Sequence, residues 1–340
     1  MKVAINGLGR IGRATFKILL DTPEMEVVAV NDLVPTDNLA YLLKYDTVYG
    51  RYEREVDHDE EHLIVDGQEY PVYHEKDPAA LPWQELEVEL VFECTGVFTT
   101  REGLEKHLEA GAKRVILSAP SKTPELMTMV HGVGEVNLEE RIISCASCTT
   151  NSITPVVEVL GRHIGIRKAT LTTIHAYTSS QALVDGPSKK WRRGRAAAAN
   201  LVPTTTGAAV ATTKALPQYE GKFDGVAVRV PVPTGSLSDL VFLLERDTTV
   251  EEVNDIFRQE AASEQYKGIL GVSEDELVSS DIIQDSRASI VDLGMTQVVD
   301  GDLLKLMCWY DNEWGYTSQM VRHAQAIAKA QQWAAERVRV

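Results

Sequence analysis

The feature that most constrains this chain is Gly7-Leu8-Gly9-Arg10-Ile11-Gly12, three glycines spaced G-x-G-x-x-G close to the N-terminus. Such a spacing arises easily by chance, so its surroundings decide its meaning. A strand-like run from Lys2 to Ile5 precedes it, and a helix-like stretch from Arg13 to Leu20 follows. A second strand-like run, Val27 to Val30, ends at Asn31-Asp32, with Asp32 twenty residues beyond Gly12. Strand, glycine turn, helix, strand and acidic residue in that order form a dinucleotide-binding unit. Gly7 permits the tight turn, Gly9 lets backbone approach a pyrophosphate, and Gly12 lets helix and strand pack closely. The helix N-terminus offers N–H groups to the pyrophosphate. Asp32 accepts hydrogen bonds from a ribose and repels a 2′-phosphate, so NAD is expected over NADP.

The strand–helix alternation continues with a helix at Leu39 to Leu43, a strand at Val88 to Glu93, a helix at Glu102 to Ala110 and a strand at Val115 to Leu117. Apolar strands separated by helices imply a parallel sheet covered on both faces. The segments Arg51 to Val56, His62 to Val65 and Glu69 to Tyr73 read as antiparallel hairpins inserted in that pattern. After Cys148 the pattern changes. A helix from about Thr149 to Gly161 is followed by strands at Lys168 to Ile174, Gly225 to Val230, Leu237 to Leu244, Ser289 to Asp292 and Leu303 to Trp309. One helix, Val250 to Ser263, interrupts them, and a last helix runs from Thr317 to about Arg337. Together these imply an α/β Rossmann-type dinucleotide-binding domain plus an α+β domain with a mostly antiparallel sheet.

Bulk properties narrow the function. The 340 residues exceed one ordinary core. A formal net charge of −16 disfavours nucleic acid or an anionic membrane as the main partner. No apolar run approaches the roughly 20 residues of a membrane helix. The N-terminus enters a strand without a signal-peptide core, and only four cysteines are present, so a cytoplasmic location is expected. Lys189, Lys190, Arg192, Arg193 and Arg195 stand out against the acidic background, as an anion site or an ordinary exposed loop. Of the eight histidines, His58, His62, His74 and His107 lie in charged stretches and are expected to be exposed.

Chemistry points to Ser147-Cys148-Thr149-Thr150-Asn151, hydroxyl residues at the start of an apolar helix. A helix N-terminus stabilises a thiolate, so Cys148 is expected to be an acidified nucleophile. Ser147, Thr149 and Thr150 supply donors for an oxyanion or phosphate. His175, at the end of the Lys168 to Ile174 strand, is the candidate base. Cys145 and Cys148 also form a C-x-x-C that oxidation is expected to bridge, but no second pair completes a zinc site, so no metal is expected.

With these residues in view, the chain resembles the glyceraldehyde-3-phosphate dehydrogenase family along nearly its whole length. The resemblance runs from the glycine turn through Leu43-Lys44-Tyr45-Asp46, Ser118-Ala119-Pro120, Ala146-Ser147-Cys148-Thr149-Thr150-Asn151, His175-Ala176-Tyr177-Thr178 and Arg229-Val230-Pro231 to Asp311-Asn312-Glu313-Trp314-Gly315-Tyr316. It implies Cys148 as nucleophile and His175 as base. Gly7, Gly9, Arg10, Ile11, Gly12, Asp32, Lys76, Ser118 and Asn312 fall where the family contacts NAD, Asn312 holding the nicotinamide amide. Ser147, Thr149, Thr206 and Gly207 are implied to bind inorganic phosphate, and Thr178, Arg193 and Arg229 the C3 phosphate of glyceraldehyde 3-phosphate. It further implies an NAD-binding domain over 1–147, completed by a C-terminal helix at 315–340, a catalytic and oligomerisation domain over 148–314, and a homotetramer. Departures include Ser152 where many relatives carry a second cysteine, and Cys145 where asparagine is common. Two other readings are weighed: an erythrose-4-phosphate dehydrogenase, separable by rates on both aldehydes with and without phosphate, and a non-catalytic NAD-binding scaffold, against which intact Cys148 and His175 argue.

Overall fold

The computed structural model describes residues 1–338, which divide into two compact units. The first comprises Met1–Met129, Glu135–Ala146 and the chain from Met320 onward; the second comprises Val130–Gly134 and Ser147–Gln319.

The first unit begins with β1 (Lys2–Asn6), α1 (Arg10–Leu20), β2 (Glu26–Asn31) and α2 (Thr36–Lys44). Two short pairing segments follow, β3 (Tyr45–Asp46) and β4 (Gly50–Arg51), then β5 (Val56–His58), β6 (His62–Val65) and β7 (Gln68–Tyr73). The unit continues through β8 (Leu90–Glu93), α3 (Arg101–Glu109), β9 (Arg114–Leu117) and β10 (Ile142–Ser144). Its sheet has the order β10-β9-β8-β1-β2-β7-β6-β5. Every pair from β10 to β7 is parallel, and β7-β6-β5 continue antiparallel. All four residues of β8 are buried, as a strand covered on both faces requires. The hairpin insertion is present, but the expected strand Arg51 to Val56 is not. Arg51 pairs with Tyr45, and the hairpin strand starts only at Val56. Helix α1 starts at Arg10, three residues before the expected start, because extended Gly9 already serves as its N-cap.

The second unit holds α4 (Cys148–His163), β11 (Ile166–Ala176), β12 (Val202–Thr205), α5 (Ala208–Ala215), β13 (Phe223–Val230), β14 (Ser236–Leu244), α6 (Val250–Ala261), β15 (Leu270–Ser273), β16 (Ser289–Asp292), β17 (Gln297–Val299) and β18 (Leu303–Tyr310). Helix α7 (Trp314–Val338) starts there as well. The sheet order is β12-β13-β11-β14-β18-β16-β15, with β17 beside β18. Most pairs are antiparallel, but β11 runs parallel to β13 and β15 to β16. A parallel neighbour needs a crossover, and the chain between β11 and β13 provides one, carrying β12 and α5. In β14, Ser236, Ser238, Leu240, Phe242 and Leu244 are buried and alternate with partly exposed residues, the pattern of a strand with one covered face. Ile153, Val156, Val157 and Leu160 of α4 join Leu171, Leu240, Phe242, Leu304 and Leu306 in one core cluster. Each such side chain contributes about 1.5–3 kcal/mol by leaving water.

His107, expected to be exposed, is fully buried. It lies on the inner face of α3, one turn from buried Leu104, and the charged residues around it occupy the outer face.

Candidate active site

In the first unit the glycine turn opens into a cavity of about 780 Å³ lined by Asn6, Gly7, Gly9, Asp32, Lys76 and Thr95 among others. Gly7 has φ +92°, and a side chain there would run into the Thr95 backbone. At Gly12 a side chain would strike the Gly7 carbonyl oxygen, so the turn and the first helical turn can close only around glycine. The Asp32 carboxylate accepts from the N–H of Leu8 at 2.6 Å and of Val34 at 3.0 Å, which fixes it at the cavity rim. Arg10 is held by an ion pair with Asp46 and lies over the Tyr49 ring. Ile11 is partly exposed on α1, and Ser118 follows the end of β9. An open glycine turn, a helix N-terminus and a fixed acidic rim suit a dinucleotide.

The thiol site is built within the second unit. Ser147 is extended and accepts from the N–H of Thr150 at 3.2 Å, capping α4, a contact worth about 1 kcal/mol. Ala146, the residue before the cap, is buried with φ +56°, a left-handed backbone that L-residues other than glycine adopt at a cost of about 1–2 kcal/mol. Cys148 is the first residue of the helix, with its Sγ 3.4 Å from His175 Nε2.

His175 comes from the end of β11, whose parallel register sets it directly opposite Arg229 on β13. Its Nδ1 reaches the Ala176 carbonyl oxygen at 2.7 Å, and Arg229 Nη1 donates to the same oxygen at 2.7 Å. A carbonyl oxygen has two lone pairs and accepts both donors. Arg229 Nη1, which can only donate, also stands 2.7 Å from Nδ1, so Nδ1 meets both an acceptor and a donor, while Nε2 faces the thiol. Burial, and then the Arg229 charge 2.7 Å from Nδ1, bring the His175 pKa down to about 3, so the ring is neutral at physiological pH. Burial also pushes the Cys148 thiol up, against the opposing pull of the Arg229 charge and the Thr149 N–H. The resting pair is thus a thiol beside a neutral imidazole rather than the expected acidified thiol.

Arg229 and Arg193 feel each other's charge, and neither has a carboxylate partner among the described residues. Arg193 is held by Thr204 Oγ1 at 3.0 Å and the Thr205 carbonyl at 3.3 Å. Two converging guanidinium groups without a counter-ion make an anion site. Gly207 caps α5, and Thr206 Oγ1 accepts from the Ala208 N–H at 3.2 Å. Thr154 Oγ1 and Thr212 Oγ1, 3.1 Å apart, tie α4 to α5. Thr178 Oγ1 is bonded to Ser180 Oγ at 2.9 Å. Among the described residues no hydrogen bond joins Thr178, Thr206 or Gly207 to Cys148 or His175.

Other residues complete the surroundings of the site. Tyr310 is buried, and its hydroxyl bridges Thr149 Oγ1 and Thr173 Oγ1, each at 2.9 Å, while its ring stands edge-on to His175. Ser236 Oγ accepts from the Ala176 N–H at 3.1 Å and donates to Asn312 Oδ1 at 2.8 Å. Asp311 is fully buried and accepts from the N–H groups of Gln284, Glu313 and Trp314, anchoring the start of α7. Thr95, at the carboxyl end of a parallel strand, could have been found from the rule that ligands bind there. Cys145 is buried with its thiol pushed up to about 12, so it carries little of the thiolate that an oxidative bridge needs.

Residues 1–101 match the model for the glyceraldehyde 3-phosphate dehydrogenase NAD binding domain, and residues 147–312 the model for that family's C-terminal domain. The chain is 50% identical over 332 residues to the glyceraldehyde-3-phosphate dehydrogenase of Thermotoga maritima, covering 96% of this chain and 99% of that one. It is 49% identical over 325 residues to that of Streptomyces coelicolor, covering 94% and 96%. To glyceraldehyde-3-phosphate dehydrogenase 3 of Saccharomyces cerevisiae it is 43% identical over 332 residues, covering 97% and 100%.

Proposed function

This chain belongs to the glyceraldehyde-3-phosphate dehydrogenase family, and from that premise we propose that its reaction runs through a thioester on Cys148. The protein is an NAD-dependent oxidoreductase that oxidises glyceraldehyde 3-phosphate to 1,3-bisphosphoglycerate with inorganic phosphate. The observation that carries the catalytic assignment is the 3.4 Å approach of Cys148 Sγ to Nε2 of His175. As the sulfur adds to the aldehyde carbon, Nε2 takes the thiol proton and returns it to the new oxyanion, giving a hemithioacetal. NAD, when bound, accepts the hydride released from that carbon. His175 removes the hydroxyl proton in the same step, which leaves the thioester. A phosphate oxygen then attacks the thioester carbonyl, the C–S bond breaks, and the acyl phosphate leaves while the sulfur regains its proton.

Arg229 and Arg193 are assigned to the C3 phosphate and, with Thr178, hold the aldehyde over Cys148. Ser147, Thr149, Thr206 and Gly207, at the starts of α4 and α5, are assigned to inorganic phosphate. Gly7, Gly9, Arg10, Ile11, Gly12, Asp32, Lys76 and Ser118 are assigned to the coenzyme, with Asn312 to its carboxamide. A homotetramer is supported by the apolar side chains that stand out to solvent in and beside the 177–200 segment: Leu183 at 70%, Val184 at 74%, Trp191 at 88% and Leu201 at 69% exposure. Among the described residues no helix is long and apolar enough to cross a membrane, and all four cysteines are free, which supports a reducing compartment such as the cytoplasm.

Cys148→Ser is expected to abolish turnover while NAD affinity stays at the wild-type value. Steady-state assay and a binding titration check this, and retained turnover would end the thioester reading.

A further inference from the structure

We propose that Ser236 is a positioning residue for this reaction, holding in one hydrogen-bond chain the peptide that orients His175 and the side chain of Asn312. Ser236 opens β14, is 1% exposed, and lies in register with Tyr310 of β18. A peptide N–H can only donate, so the 3.1 Å contact with the Ala176 nitrogen makes Ser236 Oγ an acceptor there. The hydroxyl has one proton, and its remaining partner, 2.8 Å away, is the Asn312 side chain. That proton must meet an acceptor, so the Asn312 atom facing Ser236 is the carbonyl oxygen Oδ1. The amide NH₂ is the end Asn312 has left to offer.

Both ends of this chain bear on chemistry. Ala176 is gripped through its N–H by Ser236 and through its carbonyl by His175 Nδ1 and Arg229. Its carbonyl direction orients the imidazole ring, and hence sets Nε2 toward Cys148. At the other end, Ser236 makes Asn312 a donor, the polarity needed for the carbonyl oxygen of a carboxamide. This second half rests on the proposed assignment of Asn312 to the coenzyme; the first half needs only Cys148 and His175. A buried serine that merely satisfies its neighbours would contribute to stability and to nothing else. The chain of partners here instead ends on the base and on an amide of the Asp-Asn-Glu-Trp-Gly-Tyr block.

Ser236→Ala in the full-length enzyme tests this. Iodoacetamide reports on Cys148, because burial holds the thiols of Cys94, Cys145 and Cys308 up at about 12. The expected result is a displaced pH profile for Cys148 alkylation and a kcat lower by about three- to tenfold, the equivalent of one hydrogen bond. NAD affinity should fall by about the same factor while ADP-ribose, which lacks the nicotinamide, binds as to wild type. Ser236→Thr, which keeps the hydroxyl, should restore the wild-type alkylation profile. An unchanged alkylation profile and kcat in Ser236→Ala overturn the proposal, as does an equal loss of NAD and ADP-ribose affinity, the mark of a structural defect. A displaced profile with unaltered NAD affinity overturns the Asn312 half and supports the His175 half. Turnover by Cys148→Ser, by contrast, strikes the thioester reading itself and not the role of Ser236.

Discussion

His107 and His175 are both buried, at 0% and 5% exposure, yet their ring nitrogens meet different partners. In the dinucleotide unit the Trp83 indole N–H donates to His107 Nδ1 at 3.0 Å, which leaves the ring proton on Nε2, 3.1 Å from Glu93 Oε2. The Glu93 carboxylate also accepts from Asn6 Nδ2 at 2.6 Å and from the N–H of Thr95 at 2.8 Å. Every polar group there meets a fixed partner that has no reaction to perform. In the catalytic unit His175 is fixed on one side only. Its Nδ1 is tied to Ala176, and its Nε2 faces a thiol that can give up a proton. Burial is common to both; what sets His175 apart is the one nitrogen left facing a thiol.

The sharpest way to break this contrast is to remove each ring in turn. His175→Asn should lower kcat by about 10²–10⁴-fold, the usual contribution of a positioned base, with little change in unfolding free energy. His107→Ala should leave kcat of the folded enzyme near wild type and instead destabilise the first unit by about 1–3 kcal/mol, because Trp83 and Glu93 each lose a buried partner. Steady-state kinetics together with urea unfolding decide between them, and equal losses of kcat in the two variants would erase the distinction.

Glu93→Gln refines the same point. The new amide presents donors where Asn6 and His107 already donate, or where Thr95 does, so a loss of about 1–3 kcal/mol in unfolding free energy is expected. Because Thr95 lines the dinucleotide cavity, NAD affinity should weaken, whereas the rate of Cys148 alkylation should not change. An altered alkylation rate would contradict the assignment of this cluster to the first unit's architecture alone.

The smallest effect is on acid stability. His175 and His323 have native pKa values of about 3 and about 4, below the ordinary 6.5 of an unfolded histidine. As pH falls below 6.5 the unfolded chain gains these protons and the native chain does not, so their contribution is complete above pH 6.5 and is lost progressively toward pH 3–4. Between pH 6.5 and 4, His175→Asn should show a shallower loss of stability than wild type, by about one proton's worth of slope. Identical slopes would mean that His175 is protonated in the native enzyme.

The parts of the molecule that were legible in advance share a short range. The G-x-G-x-x-G turn declared itself because φ +92° at Gly7 and the contact at Gly12 admit no side chain, a demand written within a few residues. Helix α4 declared itself through the Ser147 cap and the apolar run behind it. The Ala-rich helix α5 and the short β15 escaped because neither carries a clear apolar period. His107 was misjudged because its charged neighbours on α3 describe the helix's outer face, while the face it occupies shows only in the packing. Ser236 gave no signal at all: a lone serine at a strand start is ordinary until its partners are known.

By itself, then, the sequence determined the dinucleotide turn, the two classes of sheet and the candidates proposed as nucleophile and base, because backbone sterics, capping and apolar periodicity act between near neighbours. Only the tertiary structure decided that the sulfur of Cys148 lies 3.4 Å from Nε2, that Arg229 stands opposite His175, and which ring nitrogen faces the thiol. Those outcomes follow from the parallel register of β11 with β13 and from enclosure, which raises the thiol and lowers the imidazole. Register and desolvation are properties of segments brought together from far apart in the chain, and no local pattern encodes them.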